Sequence, residues 1–480
     1  MSYILSIIYV ILFNLINLSY IEIPFSIEDY IYGDGNSLIL KYLYKGILVK
    51  FSVGSPPQNV YLSACLGEYS TFIISKNVDE YEKATYDKKI SKTYKQLSPE
   101  PESFYFQTFS EAIKSQDNFI IEDTNYHINN LAFYLATEIG DNNYCSFCEV
   151  ITEPGILGLL IAQMKNFEEN VHEANFINQL KNKNLISNYN FYFHFNSQNS
   201  GKIIIGSKPD EYSYEEKYKN LKYVTMKISV SNGDLDWSIK FDQIHYGNKK
   251  MEHIKPMILR NEFGLITGYS EWENVLENEF FSKLINENKC FKNNTNELGM
   301  YLHFFYCYKN TDLSGFKQFT FTINEFNYNF TLTKEDLFLD IGDKYLFLMA
   351  FGGISELILG LPFIKKYQLV FNPNTKTIGF YKDEKEKNFS LIDVFRKYII
   401  IISILSFILL CLIIVAILFF WNKKKNKKNA TELLDEYDND NKKKEKNKLI
   451  DEHSINIIKK IIPKILLNSK INEVENNFLN

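Results

Sequence analysis

The side chains in this sequence with chemistry to offer begin with its 6 cysteines. Cys145-Ser-Phe-Cys148 is a lone Cys-x-x-Cys. Zinc would need a second pair at finger spacing, and a redox centre would need a thioredoxin-like βαβ frame. Neither is present, so a small disulfide is the simpler expectation, and no metal or cofactor is implied. A nucleophilic thiol at Cys65 would need a base aimed at it, and nothing in the sequence aims His253 there; the plainer role is a small, buried, unreactive residue. Among the carboxylates, Asp340-Ile341-Gly342 is the one Asp-x-Gly that follows an apolar run, Leu337-Phe338-Leu339. Asn293, Asn329 and Asn388 each open an Asn-x-Ser/Thr triplet, an acceptor for N-glycosylation that an Asn-rich chain also produces by chance.

The elements that must position these groups come from patterning. The chain has 480 residues, 45% of them hydrophobic, enough for a large core. Its 53 Lys+Arg against 58 Asp+Glu leave a net charge of -5 and no basic domain, which excludes a nucleic-acid partner. Residues 4–18 are mostly apolar and too short to span comfortably; followed by Ser19 and Glu22, they suit a secretory signal, 1–20, though a basic n-region is missing. Residues 398–421 are apolar apart from Ser403, Ser406 and Cys411, long enough at helical rise for a transmembrane helix. Lys423, Lys424, Lys425, Lys427 and Lys428 follow it, against Arg396 and Lys397 before it, so the positive-inside rule puts 422–480 in the cytosol. That is the topology of a single-pass type I membrane protein of the secretory pathway or cell surface. Between the two apolar runs, short stretches rich in Ile, Tyr, Phe and Val are broken by Asn, Asp, Ser and Gly, a mostly β pattern. Strands are predicted over 190–195, 202–206, 222–230, 319–323 and 367–371, and helices over 167–180 and 269–284.

Several ordered motifs carry a resemblance. Val53-Gly-Ser-Pro-Pro-Gln58 opens a hairpin; Pro154-Gly-Ile-Leu-Gly-Leu159 and Leu357-Ile-Leu-Gly-Leu-Pro-Phe-Ile-Lys-Lys-Tyr367 are two apolar glycine strands; Val370-Phe-Asn372 and Ile378-Gly-Phe380 close the series. Residues 45–383 resemble the pepsin-like aspartic peptidases in these motifs and their order, and 190–206 is similar to the passage that ends the first lobe of that family. The resemblance implies a bilobal, mostly β fold, with lobes at 21–210 and 211–392, and a C-terminal membrane helix makes the topology similar to the family's membrane-anchored branch. It also implies a disulfide between Cys290 and Cys307, which leaves Cys65 as an odd thiol.

In that family each lobe delivers one aspartate from an Asp-Thr-Gly loop. Counting on without a gap from Gln58 places the first aspartate position at Cys65, and Met257-Ile258-Leu259 places the second at Arg260. The interval from Cys65 to Gly158 nearly equals that from Arg260 to Gly360, one repeat in each lobe, whereas Asp340 stands far too close to Gly360 to be the second acid. Two carboxylates sharing one proton make the peptidase work. Arg260 cannot accept a proton and a thiol titrates near about 8.5, so neither takes such a role. The family's cross-bracing threonines fall on Leu66 and Asn261, so that network is expected to be lost too. Glu68 and Glu262 lie inside the two loops, either as displaced carboxylates or, by preference, as partners neutralising Arg260. The family's flap tyrosine falls on Tyr105, its glycines replaced by bulkier residues.

The leading expectation is therefore an inactive pseudoprotease whose ectodomain binds a protein or peptide, as a receptor, adhesion or scaffold component. A working aspartic endopeptidase with displaced carboxylates is the alternative. A cargo receptor of the secretory pathway is the third; it would mislocalise when Leu449 and Ile450, in a dileucine-like Glu445-Lys-Asn-Lys-Leu-Ile450, are changed to Ala.

Overall fold

The computed structural model describes residues 20–383 apart from 30–41, 43–44, 77, 79–84, 105–108, 125, 140–154, 161–173, 213–217, 219–220, 232–233, 253–254, 296–300 and 353–355. Strands dominate because most apolar runs are short and β-branched or aromatic. Phe319–Ile323 alternates buried and half-buried residues along its length, as one face of a sheet on a core must. Gln58–Cys65 instead begins with alternation and ends buried at four consecutive positions, since it runs from the surface into the centre of the molecule.

A 14-stranded sheet holds most strands of the first half. Ile21–Asp29 pairs antiparallel with both Lys45–Val53 and Ser200–Ile205, and Lys45–Val53 pairs antiparallel with Gln58–Cys65. The long hairpin Phe109–Ile121 and Tyr126–Ile139 completes this half. The same sheet then crosses into the second half. Phe191–Phe195 pairs with Val370–Asn372 through Phe191 and Phe371, and Thr377–Asp383 continues to Leu221–Lys227. Further sheets hold Gln243–Tyr246 with Phe319–Ile323, and Cys290–Thr295, Leu302–Tyr308 and Lys344–Gly352.

The core between them is aromatic. Trp237 is fully buried, with its ring 5.0 Å from Phe371 and 5.9 Å from Phe191 at steep angles, and its indole N–H donates to the Leu159 carbonyl at 3.0 Å. A side chain of the second half thereby satisfies a backbone acceptor of the first. Edge-on packing of this kind adds about 0.5–1.5 kcal/mol per pair beyond burial.

The strands at 191–195, 200–205, 221–227 and 319–323 fall where the patterning predicts them. Tyr367 does not begin a strand: Leu361–Tyr367 is a helix, with Pro362 in its first turn, and the strand starts at Val370. Gln368, at a left-handed φ of 40°, turns the chain from one to the other. The helix predicted over 269–284 is present as Ser270–Leu276, a π-helical Glu277–Phe281 and Ser282–Asn286. Phe176–Asn182 is helical, with Asn175 as its cap, and residues 167–173 of the predicted helix lie outside the described residues. The chain divides into Met1–Glu384 and Lys385–Asn480, and the lobe boundary expected at 210 falls inside the first of these. Among the described residues no helix is long and apolar enough to cross a membrane; the expected signal at 1–20, apart from Tyr20, and the expected span at 398–421 lie outside them, as does the expected tail.

Candidate functional site

Two loops meet at the centre, each made the same way. Gln58–Cys65 runs parallel to Gly155–Gly158, with Cys65 opposite Gly158. Leu159 N–H donates to the Cys65 carbonyl at 2.9 Å and Leu160 N–H to that of Glu68 at 2.7 Å, so residues 65–68 are clamped as a loop. In the second half Met257–Leu259 runs parallel to Ile358–Leu359. Arg260 N–H donates to the Leu359 carbonyl at 3.2 Å and Leu361 N–H to that of Phe263 at 2.7 Å. Glycine is required at the base of each clamp. A Cβ on Gly158 would lie 2.4 Å from the Tyr69 carbonyl carbon, and one on Gly360 only 2.1 Å from the Leu265 oxygen.

Arg260 points into the space between the loops and is held there. Its Nη1 and Nη2 donate to Asp236 Oδ1 and Oδ2, both at 2.6 Å, a two-bond fork, and its Nε lies 3.5 Å from Glu262 Oε1. The Arg260 and Asp236 side chains are 15% and 14% exposed, so the pair is mostly out of water. Gly67 of the first loop passes directly over it: a Cβ there would sit 2.9 Å from Glu262 Oε1 and 3.2 Å from the guanidinium carbon. Asn261, fully buried, ties the loops together, its Oδ1 accepting from Leu66 N–H at 2.8 Å and its Nδ2 donating to the Ala64 carbonyl. The brace expected to be lost is therefore present in part. One amide side chain supplies both donor and acceptor, which needs nothing from Leu66 but its backbone.

The electrostatics follow from burial and from the Asp236 and Glu262 carboxylates beside one guanidinium. Burial works against the Arg260 charge, but the Asp236 bonds and the charges of Asp236 and Glu262 outweigh it and hold the group above its usual range. Burial pushes Glu262 up, opposed by Arg260, while the Cys65 thiol hydrogen-bonds to its carboxylate. Glu262 Oε2 is buried with no hydrogen-bond partner. Glu68 is pushed up to about 7, chiefly by burial and then by the Glu262 charge, with Arg260 opposing.

This pair of glycine-clamped loops is matched by sequence as well. The model of the eukaryotic aspartyl protease family matches residues 47–382. The chain belongs to the eukaryotic aspartyl protease family. No curated protein matches it. The strands that enter the two loops end in a thiol, Cys65, and lead directly into a guanidinium, Arg260. Cys65 is buried and outside any disulfide.

The other expected residues of this aspartyl-protease-family chain distribute as follows. Cys290 and Cys307 form a disulfide across two paired strands. Asp340 is at the surface, paired with Lys309 at 2.6 Å and followed by a turn at Gly342, away from both loops. Asn293 and Asn329 are exposed on strands, with Asn329 Oδ1 accepting from the Thr322 hydroxyl at 2.8 Å. Tyr105, Cys145, Cys148, His253 and Asn388 lie outside the described residues. No group of acidic, histidine or cysteine side chains suited to a metal occurs among the described residues. Sequence reasoning missed Asp236. The available signal was physical: an arginine drawn into a core needs a carboxylate with two free oxygens, and Asp236 stands next to Trp237 at the start of a buried strand.

Proposed function

We propose that this chain is a type I membrane protein of the secretory pathway or cell surface whose aspartyl-protease-like ectodomain binds a protein or peptide without cleaving it, as a receptor, adhesion or scaffold component. One observation supports the reading: Arg260, which the sequence count puts at the second acid position, is locked by two bonds to Asp236. A guanidinium so placed can neither accept a proton from a water nor share one with a partner acid. Loss of a single positioned acid–base group costs about 10²- to 10⁴-fold, and here both positions lack one. Membrane anchorage rests on the apolar run at 398–421 and the lysines after it.

A second reading is favoured by one specific feature, the coupling of Glu68 to Glu262, each with its acidity weakened by burial. Such a pair is what displaced peptidase carboxylates would require. The test is cleavage of a peptide library by the purified chain between about pH 3 and 7.5, with and without a statine-type inhibitor. Folded protein that leaves the library intact is the expected result. Inhibitor-sensitive cleavage that disappears in Glu68→Gln or Glu262→Gln would replace the binding reading with the enzymatic one.

A further inference from the structure

We propose that Asn293 carries an N-linked glycan whose first sugar lies on the ring of Phe291 and steadies the strand pair beneath it. Asn293-Asn294-Thr295 is an acceptor triplet on the strand Cys290–Thr295, an edge strand of its sheet among the described residues. That strand pairs in unbroken register with Leu302–Tyr308, and alternation along it sends successive side chains to opposite sides. Lys292 turns to one side, where its Nζ meets Glu273 at 3.0 Å and Glu277 at 2.9 Å. Asn294 shares that side and donates to the Tyr301 hydroxyl at 3.3 Å. Phe291 and Asn293 have the other side to themselves.

What they present there is an aromatic surface beside a free amide. Phe291 is half-buried, its ring stacked on Tyr306 at 5.2 Å and met edge-on at 5.1 Å by Tyr308, which is 42% exposed. Asn293 is exposed, and its Oδ1 accepts from Asn294 N–H at 2.9 Å, which leaves Nδ2 without a partner among the described residues. Two positions along a strand is about 6.8 Å, so a sugar on Nδ2 can fold back over the ring, where its C–H face meets the negative face of the aromatic system. Asn329 has no such neighbour. Two positions before it stands Asn327, at a left-handed φ of 46°, and two after it Thr331, while Tyr328 and Phe330 take the other side. Attachment is a displacement: Nδ2 attacks the anomeric carbon of an N-acetylhexosamine donor, the C–N bond forms, the C–O bond to a lipid-linked diphosphate breaks, and one amide proton is lost. Thr295, part of the triplet that must be read, is only 7% exposed in the folded chain, so transfer precedes closure of the strand pair.

This inference rests on the secretory-pathway reading, and its test separates the two. The full-length chain is made in a glycosylating eukaryotic host, and sealed microsomes are treated with protease before peptides are read by mass spectrometry. A protected segment at 290–307 with an N-acetylhexosamine on Asn293 is the expected result. Protection with Asn293 bare overturns the glycan alone, whereas digestion of that segment overturns both the glycan and the secretory reading. The ring contact is read by a double-mutant cycle in detergent and urea: chain trimmed to one sugar by an endoglycosidase against Asn293→Gln, each with Phe291 or with Phe291→Leu. Loss of the sugar should lower the folding constant by about two- to tenfold when Phe291 is present and by less than about twofold in Phe291→Leu. Equal losses overturn the contact. Should Phe291→Leu not fold, hydrogen exchange decides: amides at 290–295 and 302–307 should be better protected in the trimmed glycoform than in Asn293→Gln, with those at 319–332 unchanged, and equal protection overturns it.

Discussion

Removing one partner of the Arg260–Asp236 pair strands the other charge in a site largely closed to water. Asp236→Asn should therefore destabilise the chain by about 3–5 kcal/mol in urea titrations, while Arg260→Met with Asp236→Leu should be near neutral or better, because two desolvation costs vanish with the attraction. Equal losses in both variants would show that the guanidinium is solvated and the fork incidental. At Asn261 the reasoning concerns neutral groups. Asn261→Leu leaves the Leu66 N–H and the Ala64 carbonyl buried without partners, a loss of about 2–4 kcal/mol, measurable by the same titration and localised by faster exchange at Leu66. Neither role is readable from the residue alone. An asparagine after a strand is an ordinary turn former until the opposite loop is brought 197 residues back to meet it.

The elements that matter are the two parallel strand pairs and the glycines beneath them. Gly158 and Gly360 stand where any Cβ would collide with backbone rather than with a movable side chain. Gly360→Ala should thus cost more than the about 1–3 kcal/mol usual for overpacking, and should loosen the loop at 260–263 first, as seen by hydrogen exchange. A change confined to the helix Leu361–Tyr367 would point instead to a local effect on its start. These glycine strands were the most legible part of the sequence, since a run of apolar residues around a glycine reports close approach whatever packs on it. The strand pattern elsewhere was legible for a similar reason: alternation is local. The helix at 361–367 was not, because its buried Leu361, Pro362, Phe363 and Ile364 form a short apolar run that reads equally as strand.

At the scale of the molecule, the two halves of the aspartyl-protease-like unit are joined by the Phe191–Phe371 pairing and by Trp237. Trp237→Ala removes the ring between Phe191 and Phe371 and the donor on Leu159, and should cost about 3–5 kcal/mol. Because Trp237 follows Asp236 directly, the same change should also release Arg260 and speed exchange at 260–263. Unfolding that stays a single transition with those loops undisturbed would separate the aromatic join from the charge cluster.

By itself the sequence determined the mostly β pattern and the family-like order of its motifs, and it led to the expectation that Cys65 and Arg260 stand at the two acid positions. These follow from spacing and from what a side chain can or cannot protonate. Only the tertiary structure decided how Arg260 is neutralised and how the loops stay joined. Asp236, 24 residues away, takes the two bonds that the nearer Glu262 does not, and Asn261 braces both loops where the bracing network had been expected to be lost. Partner choice of that kind depends on distance and direction in the folded chain, which residue types and their spacing do not encode.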